Sequence, residues 1–173
     1  MKFGKYQWGA FILLSLVLIV DGADAMLVPL LISILEHEWK LTSSEMSIMS
    51  SSFFVGLLVG VLLGGKLSDT YGRKNIVIRI PVFIYIFGVA VPFTPNYIAM
   101  SIVLFFKGAG VGIQFPVTEV FLAEVTPKHL RGAVLTVGSA IFAFGELFTC
   151  FLGYFCLDNV YSGNWKALAF SVV

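Results

Sequence analysis

Charge is scarce in this sequence: Asp, Glu, Lys and Arg make up 12% of 173 residues, about half the share usual in a soluble chain. So few charges cannot give a globule of this size a polar shell, and the mean hydropathy of +0.95 points to lipid as the solvent. A formal net charge of +1 says nothing in favour of nucleic acid, which would need a basic face, and no such partner is expected. Cysteine is also rare. Cys150 and Cys156 stand six apart in one apolar run, on different faces of a helix, so a disulfide between them is not expected. His37 and His129 are isolated, and with no Cys/His cluster neither a metal nor another cofactor is expected.

Long apolar runs fill the space that charge leaves. A membrane helix needs roughly 20 mostly apolar residues, and five segments qualify: about 8–35, 47–65, 76–92, 97–121 and 133–157. A sixth starts at Trp165 and meets the chain end at Val173. Lys2, Lys5, the run from Phe11 to Val20 and the small residues at 23–25 imitate a secretory signal peptide. The run then resumes through Met26 to Ile32, so it reads as a full span. Short loops join the segments, and the chain reads as one incomplete transmembrane domain. Eight cations (Lys2, Lys5, Lys66, Arg73, Lys74, Arg79, Lys128, Arg131) fall on one side, against Lys40 and Lys166 on the other. By the excess of Lys and Arg in cytoplasmic loops, the N-terminus is expected in the cytoplasm.

Gly56, Gly60 and Gly64 recur every four residues in the second segment, a ridge that lets another helix backbone approach closely. Gly108, Gly110 and Gly112 follow no strand and precede no Gly-Lys-Ser/Thr, so a nucleotide loop is excluded.

Charge inside a span costs about 2.5–3.5 kcal/mol on insertion scales and marks function by default. Asp21 and Asp24 lie 13 and 16 residues into the first segment, Lys107 lies 10 into the fourth, and Glu146 lies 13 into the fifth. At about 1.5 Å per residue all four reach mid-depth, and they outline a polar cavity to which Gln114 is a secondary contributor. The plainer alternatives are an internal ion pair of Lys107 with Asp21 or Asp24, compatible with a working cavity, and a Glu146 hydrogen-bonded in place. Gly22 and Pro29 in the first segment, and Gly108, Gly110, Gly112 and Pro116 in the fourth, predict broken helices at matching places of an inverted repeat, a mark of transporter sites.

The stretch Gly65-Lys66-Leu67-Ser68-Asp69-Thr70-Tyr71-Gly72-Arg73-Lys74 resembles the signature between helices two and three of the major facilitator superfamily. Lys107-Gly108-Ala109-Gly110-Val111-Gly112, Pro116 and the run from Glu124 to Gly132 are similar to the fourth helix and following loop of its sugar and organic-ion porters. Those porters usually carry arginine at the place of Lys107; lysine keeps the charge and loses the bidentate fork. Asp21-Gly22-Ala23-Asp24-Ala25-Met26 with Glu38-Trp39-Lys40-Leu41 resembles synaptic-vesicle-type organic-ion porters and aromatic-acid:proton symporters. In the latter the paired aspartates are tied to proton coupling. Ser139 stands where sugar porters place a glutamine.

The resemblance implies an all-α integral membrane fold: the N-terminal six-helix half of a twelve-helix bundle, truncated in helix six and lacking its C-terminal partner half. It implies alternating-access transport of a small organic solute, an organic ion favoured, with a proton as coupling ion and no enzymatic step. Asp21, Asp24, Lys107, Gln114 and Glu146 would form the substrate and proton site. Gly65, Asp69, Gly72, Arg73, Lys74, Glu124 and Arg131 would form the cytoplasmic gate. The competing readings are a sugar porter, a receptor that has lost transport, and an inactive fragment.

Overall fold

Five long helices follow one another in a computed structural model that describes residues 5–160, with side chains described from Trp8 to Tyr154. They are α1 (Lys5–Trp39), α2 (Ser43–Tyr71), α3 (Arg73–Ala90), α4 (Tyr97–Val125) and α5 (Arg131–Val160), with a 3-10 turn at Val91–Phe93. Each is long and apolar enough to cross a membrane. Each extends past its expected segment at one end or both, because the polar residues flanking an apolar run continue the helix, although α3 stops at Ala90 and gives way to the 3-10 turn. The sixth segment expected from Trp165 lies outside the described residues.

The turns are tight. Thr42 caps α2 in a capping box, its side chain taking the Glu45 amide while the Glu45 carboxylate takes the Thr42 amide. Such reciprocal bonds satisfy donors that a helix start leaves open. The single residue Gly72 joins α2 to α3 with φ +81°. That backbone region is nearly free of cost only for glycine.

Two helix pairs organise the bundle through backbone contact. A Cβ at Gly56 or Gly60 of α2 would fall on the carbonyls of Phe105 or Ala109 in α4. Gly108 and Gly112 of α4 answer against Phe53 and Leu57 of α2. Gly22 of α1 rests on the Phe142 carbonyl, and Gly145 of α5 rests on that of Ile19. Missing side chains let dispersion contacts form along the backbones, which is how helices associate in lipid. The expected breaks in the first and fourth segments are absent: α1 and α4 run unbroken through Pro29 and Pro116. Gly22, Gly108 and Gly112 serve the helix crossings instead, and one lost proline hydrogen bond does not end a span that lipid and neighbours hold straight.

Two apolar clusters fill the interior. One gathers Leu27, Leu31, Leu35, Met49, Phe53 and Met100. The other gathers Leu14, Leu18, Ile76, Val77, Val117 and Leu122, nearer the end that carries the α2–α3 turn. Between them lies a polar layer.

Candidate functional site

α4 is the hub of that layer, because three of its faces do different work. At 100° per residue, Gly108 and Gly112 face α2, while Lys107, Gln114 and Thr118 fall within about 60° of one another on another face. On a third face, a Cβ at Gly110 would meet the side chains of Ile84 and Phe83 in α3. Lys107 is 1% exposed, and its Nζ lies 2.7 Å from Oδ1 of Asp24. The Gln114 amide donates to Oδ1 of Asp21 at 3.1 Å. Asp21 and Asp24 are themselves 1% and 4% exposed. Two carboxylates, one ammonium and one amide thus meet between α1 and α4, away from lipid.

The pairing is incomplete. Asp21 Oδ2, Gln114 Oε1 and Thr118 Oγ1 are buried with no hydrogen-bond partner among the described residues, and the Lys107 ammonium has its ion pair but no hydrogen bond. Buried polar atoms are nearly always satisfied in native proteins, so each of these has bonding capacity left over within the described residues. A cavity of about 290 Å³ is lined by Asp21, Asp24, Lys107 and Gln114, and by Val20, Pro81, Val82, Ile84, Tyr85 and Gly88.

Glu146 does not share this cavity. Its backbone lies against Gly22, so it is level with the aspartates. Gly22 and Asp24, however, point about 160° apart around α1. α5 therefore packs on the side of α1 turned away from the ion pair, and Glu146 is half-buried there. Ser139 is exposed, its hydroxyl donating to the Leu135 carbonyl at 3.2 Å. α5 is tied to α1 by the buried Thr149, which donates to the Ala23 carbonyl at 3.2 Å. Replacing Thr149 by Val should cost about 0.5–1.5 kcal/mol, read as a lower melting temperature in detergent with the helical content unchanged.

Charges also gather where α2 meets α3 and where α4 ends. Arg73 pairs with Glu124, clamping the start of α3 to the last turn of α4. The two side chains are 31% and 53% exposed, so water screens the pair and its energy is small. The other charges expected at the cytoplasmic gate do not join this pair among the described residues. Asp69 is exposed and makes no ion pair among the described residues; it follows Ser68, the buried residue of that turn, and so turns outward. Arg131 instead donates from Nε to the Thr126 carbonyl at 3.4 Å. Gly65 and Lys74 are exposed. Among the described residues no three His, Cys, Asp or Glu side chains are placed to hold a metal ion.

A family model described as the Major Facilitator Superfamily matches residues 13–173. The chain belongs to the major facilitator superfamily. The niacin transporter NiaP of Acinetobacter baylyi is 26% identical over 159 residues, covering 92% of this chain and 36% of the relative. The synaptic vesicle 2-related protein of Bos taurus is 28% identical over 166 residues, covering 96% of this chain and 30% of the relative. These descriptions name no enzyme. The chain thus spans about a third of the length of the curated relatives it matches. The inward-open xylose transporter XylE from E. coli superposes with a TM-score of 0.84 at 20% identity, over 96% of this chain and 45% of that one. That likeness speaks for the fold: this is a multi-pass membrane chain with the architecture of part of a major facilitator bundle.

Sequence reasoning missed three features of this major facilitator chain. The wall from α3 escaped it because Pro81, Tyr85 and Gly88 carry no charge. Thr118 escaped because a threonine in a span usually bonds its own helix. Glu119, half-buried beside Thr118, sits near the end of the fourth segment, where charge is ordinary.

Proposed function

We propose that this chain supplies one wall of a secondary carrier that moves a small organic anion, coupled to protons, by alternating access. The observation that carries the reading is the buried Lys107–Asp24 pair beside a second carboxylate, Asp21, with which no cation pairs among the described residues. Two carboxylates and one ammonium leave one excess negative charge in the bundle, and a single proton cancels it. Charge in lipid is expensive, so proton binding at this site and movement of the helices around it are energetically linked.

The mechanism follows from the pairing. With Asp24 ionised, Lys107 is held at 2.7 Å and is closed to other anions. A proton on Asp24 removes that attraction and frees the ammonium to take a carboxylate of the substrate. When the substrate leaves, Lys107 returns to Asp24 and displaces the proton. Niacin, the solute in the name of one relative, is a small aromatic carboxylate of the kind such an ammonium suits. A neutral sugar would have no need of a mobile cation. Arg73, Glu124, Asp69, Gly72 and Arg131, with Gly65 and Lys74, would form the gate on the cytoplasmic side, where the excess of Lys and Arg also sets the N-terminus.

The test uses the complete protein in proteoliposomes, with labelled niacin and other aromatic acids as probes. Asp24→Asn should abolish uptake driven by a pH gradient. Coupling that survives this change removes Asp24 from the mechanism. Gradient-driven uptake of xylose in place of aromatic acids would favour the sugar reading.

A further inference from the structure

Of the buried orphan atoms, three lie along one seam. Asp21 Oδ2 on α1 and Gln114 Oε1 and Thr118 Oγ1 on α4 have no partner among the described residues. Asp21 and Gln114 are already joined through their other atoms, so their free atoms are neighbours. Thr118 stands one helical turn further along the same face of α4, about 6 Å down the axis. That is a distance one water spans with a hydrogen bond at each end.

Thr118 also differs from many hydroxyls in these helices. Ser101, Thr126, Thr136 and Ser139 each donate to the carbonyl four residues back. Thr118 is 0% exposed and does not. Val117 and Leu122, beside it and one turn on along α4, belong to an apolar cluster with Leu14 and Leu18 of α1. Ser15 is another orphan, but it shares the Gly22 face of α1, towards α5, and does not belong to the set.

Buried waters typically make about three hydrogen bonds to otherwise unsatisfied polar groups. We infer that Asp21, Gln114 and Thr118 form a water site, and that its water is the group through which Asp21 gains and loses its proton. The water gives one proton to Asp21 Oδ2 and takes one back from outside the seam, and Asp21 hands its proton to Asp24, one helical turn away on α1, where it frees Lys107. Thr118 is a positioning residue that orients the water. The other ionisable groups near the seam are Asp24 and Lys107 on the far side of Asp21 and Glu119 next to Thr118. The inference rests on the proton-coupled reading above.

The complete protein in proteoliposomes, with labelled niacin as probe, provides the test. Thr118→Val should slow gradient-driven uptake about tenfold, less than the ~100-fold floor for removing a positioned acid or base, since the water keeps its other partners. Exchange of niacin at equal pH on both sides should be unchanged, and Thr118→Ser should restore the driven rate. Full driven uptake in Thr118→Val while Asp21→Asn abolishes it would overturn the relay and leave the carrier reading intact. Equal losses of driven uptake and exchange would reduce Thr118 to a structural part and also overturn it. If Asp21→Asn and Asp24→Asn both keep coupling, the carrier reading itself fails. A readout without substrate is the melting temperature. Thr118→Val, which keeps the shape of the side chain and removes only the hydroxyl, should melt below the parent, because the water loses a partner; a higher value, the gain from deleting a lone buried hydroxyl, would overturn the site.

Discussion

Lys107→Ala is expected to abolish uptake and to lower the melting temperature of the complete protein sharply. The substitution leaves the Asp24 carboxylate, 4% exposed, without the ammonium that lies 2.7 Å from it. Breaking a buried ion pair from one side costs about 3–5 kcal/mol, whereas replacing both members by neutral groups of similar volume is often neutral or better. The double variant Asp24→Asn with Lys107→Met should therefore recover most of the stability and none of the transport. Thermal denaturation in detergent, read by size exclusion, measures the first half, and gradient-driven uptake of labelled aromatic acid measures the second. A double variant as unstable as Lys107→Ala would show that the pair is not what holds α1 to α4. A Lys107→Ala protein that transports normally would remove Lys107 from the mechanism, and a parent protein that moves no solute would leave the receptor reading as the better one.

The other large effect is steric. In Gly60→Leu the first side-chain atom would fall on the Ala109 carbonyl of α4, and that neighbour is backbone. A backbone carbonyl cannot swing aside, so α2 and α4 would have to separate along the whole crossing that Gly56, Gly108 and Gly112 also build. Overpacking a core typically costs about 1–3 kcal/mol, and separating two spans forfeits further contacts, so the variant should not be recovered as a monodisperse protein. Gly65→Leu is the control. A Cβ there meets nothing within 4 Å, and its melting temperature should match that of the parent. Equal behaviour of the two would mean that α2 and α4 do not meet as described.

The fold was legible because lipid imposes simple rules. Every backbone polar group must be satisfied within its own segment, so an apolar run of sufficient length is a helix, and five such runs became five helices. Gly56, Gly60 and Gly64 could be read as a packing ridge because their spacing repeats one face. The same residue type misled in the fourth segment. Gly108 and Gly112 look like weak points in isolation, and only the presence of α2 beside them makes them contacts. A residue's propensity is local, and its role depends on its neighbour.

The site was legible by depth and illegible by direction. Counting residues placed Asp21, Asp24, Lys107 and Glu146 at one level, since rise per residue is constant along a helix. It could not say that Glu146 faces away, because that depends on which side of α1 the α5 helix occupies. By itself the sequence determined a lipid-embedded helical chain with ionisable groups at mid-depth, through hydrophobicity and period, which are properties of single segments. Only the tertiary structure decided that Lys107 takes Asp24, that Gln114 takes Asp21, and that Thr118 is left over. Those facts come from the rotation of one helix about its axis against another, and that rotation is settled by glycine contacts between segments far apart in the chain.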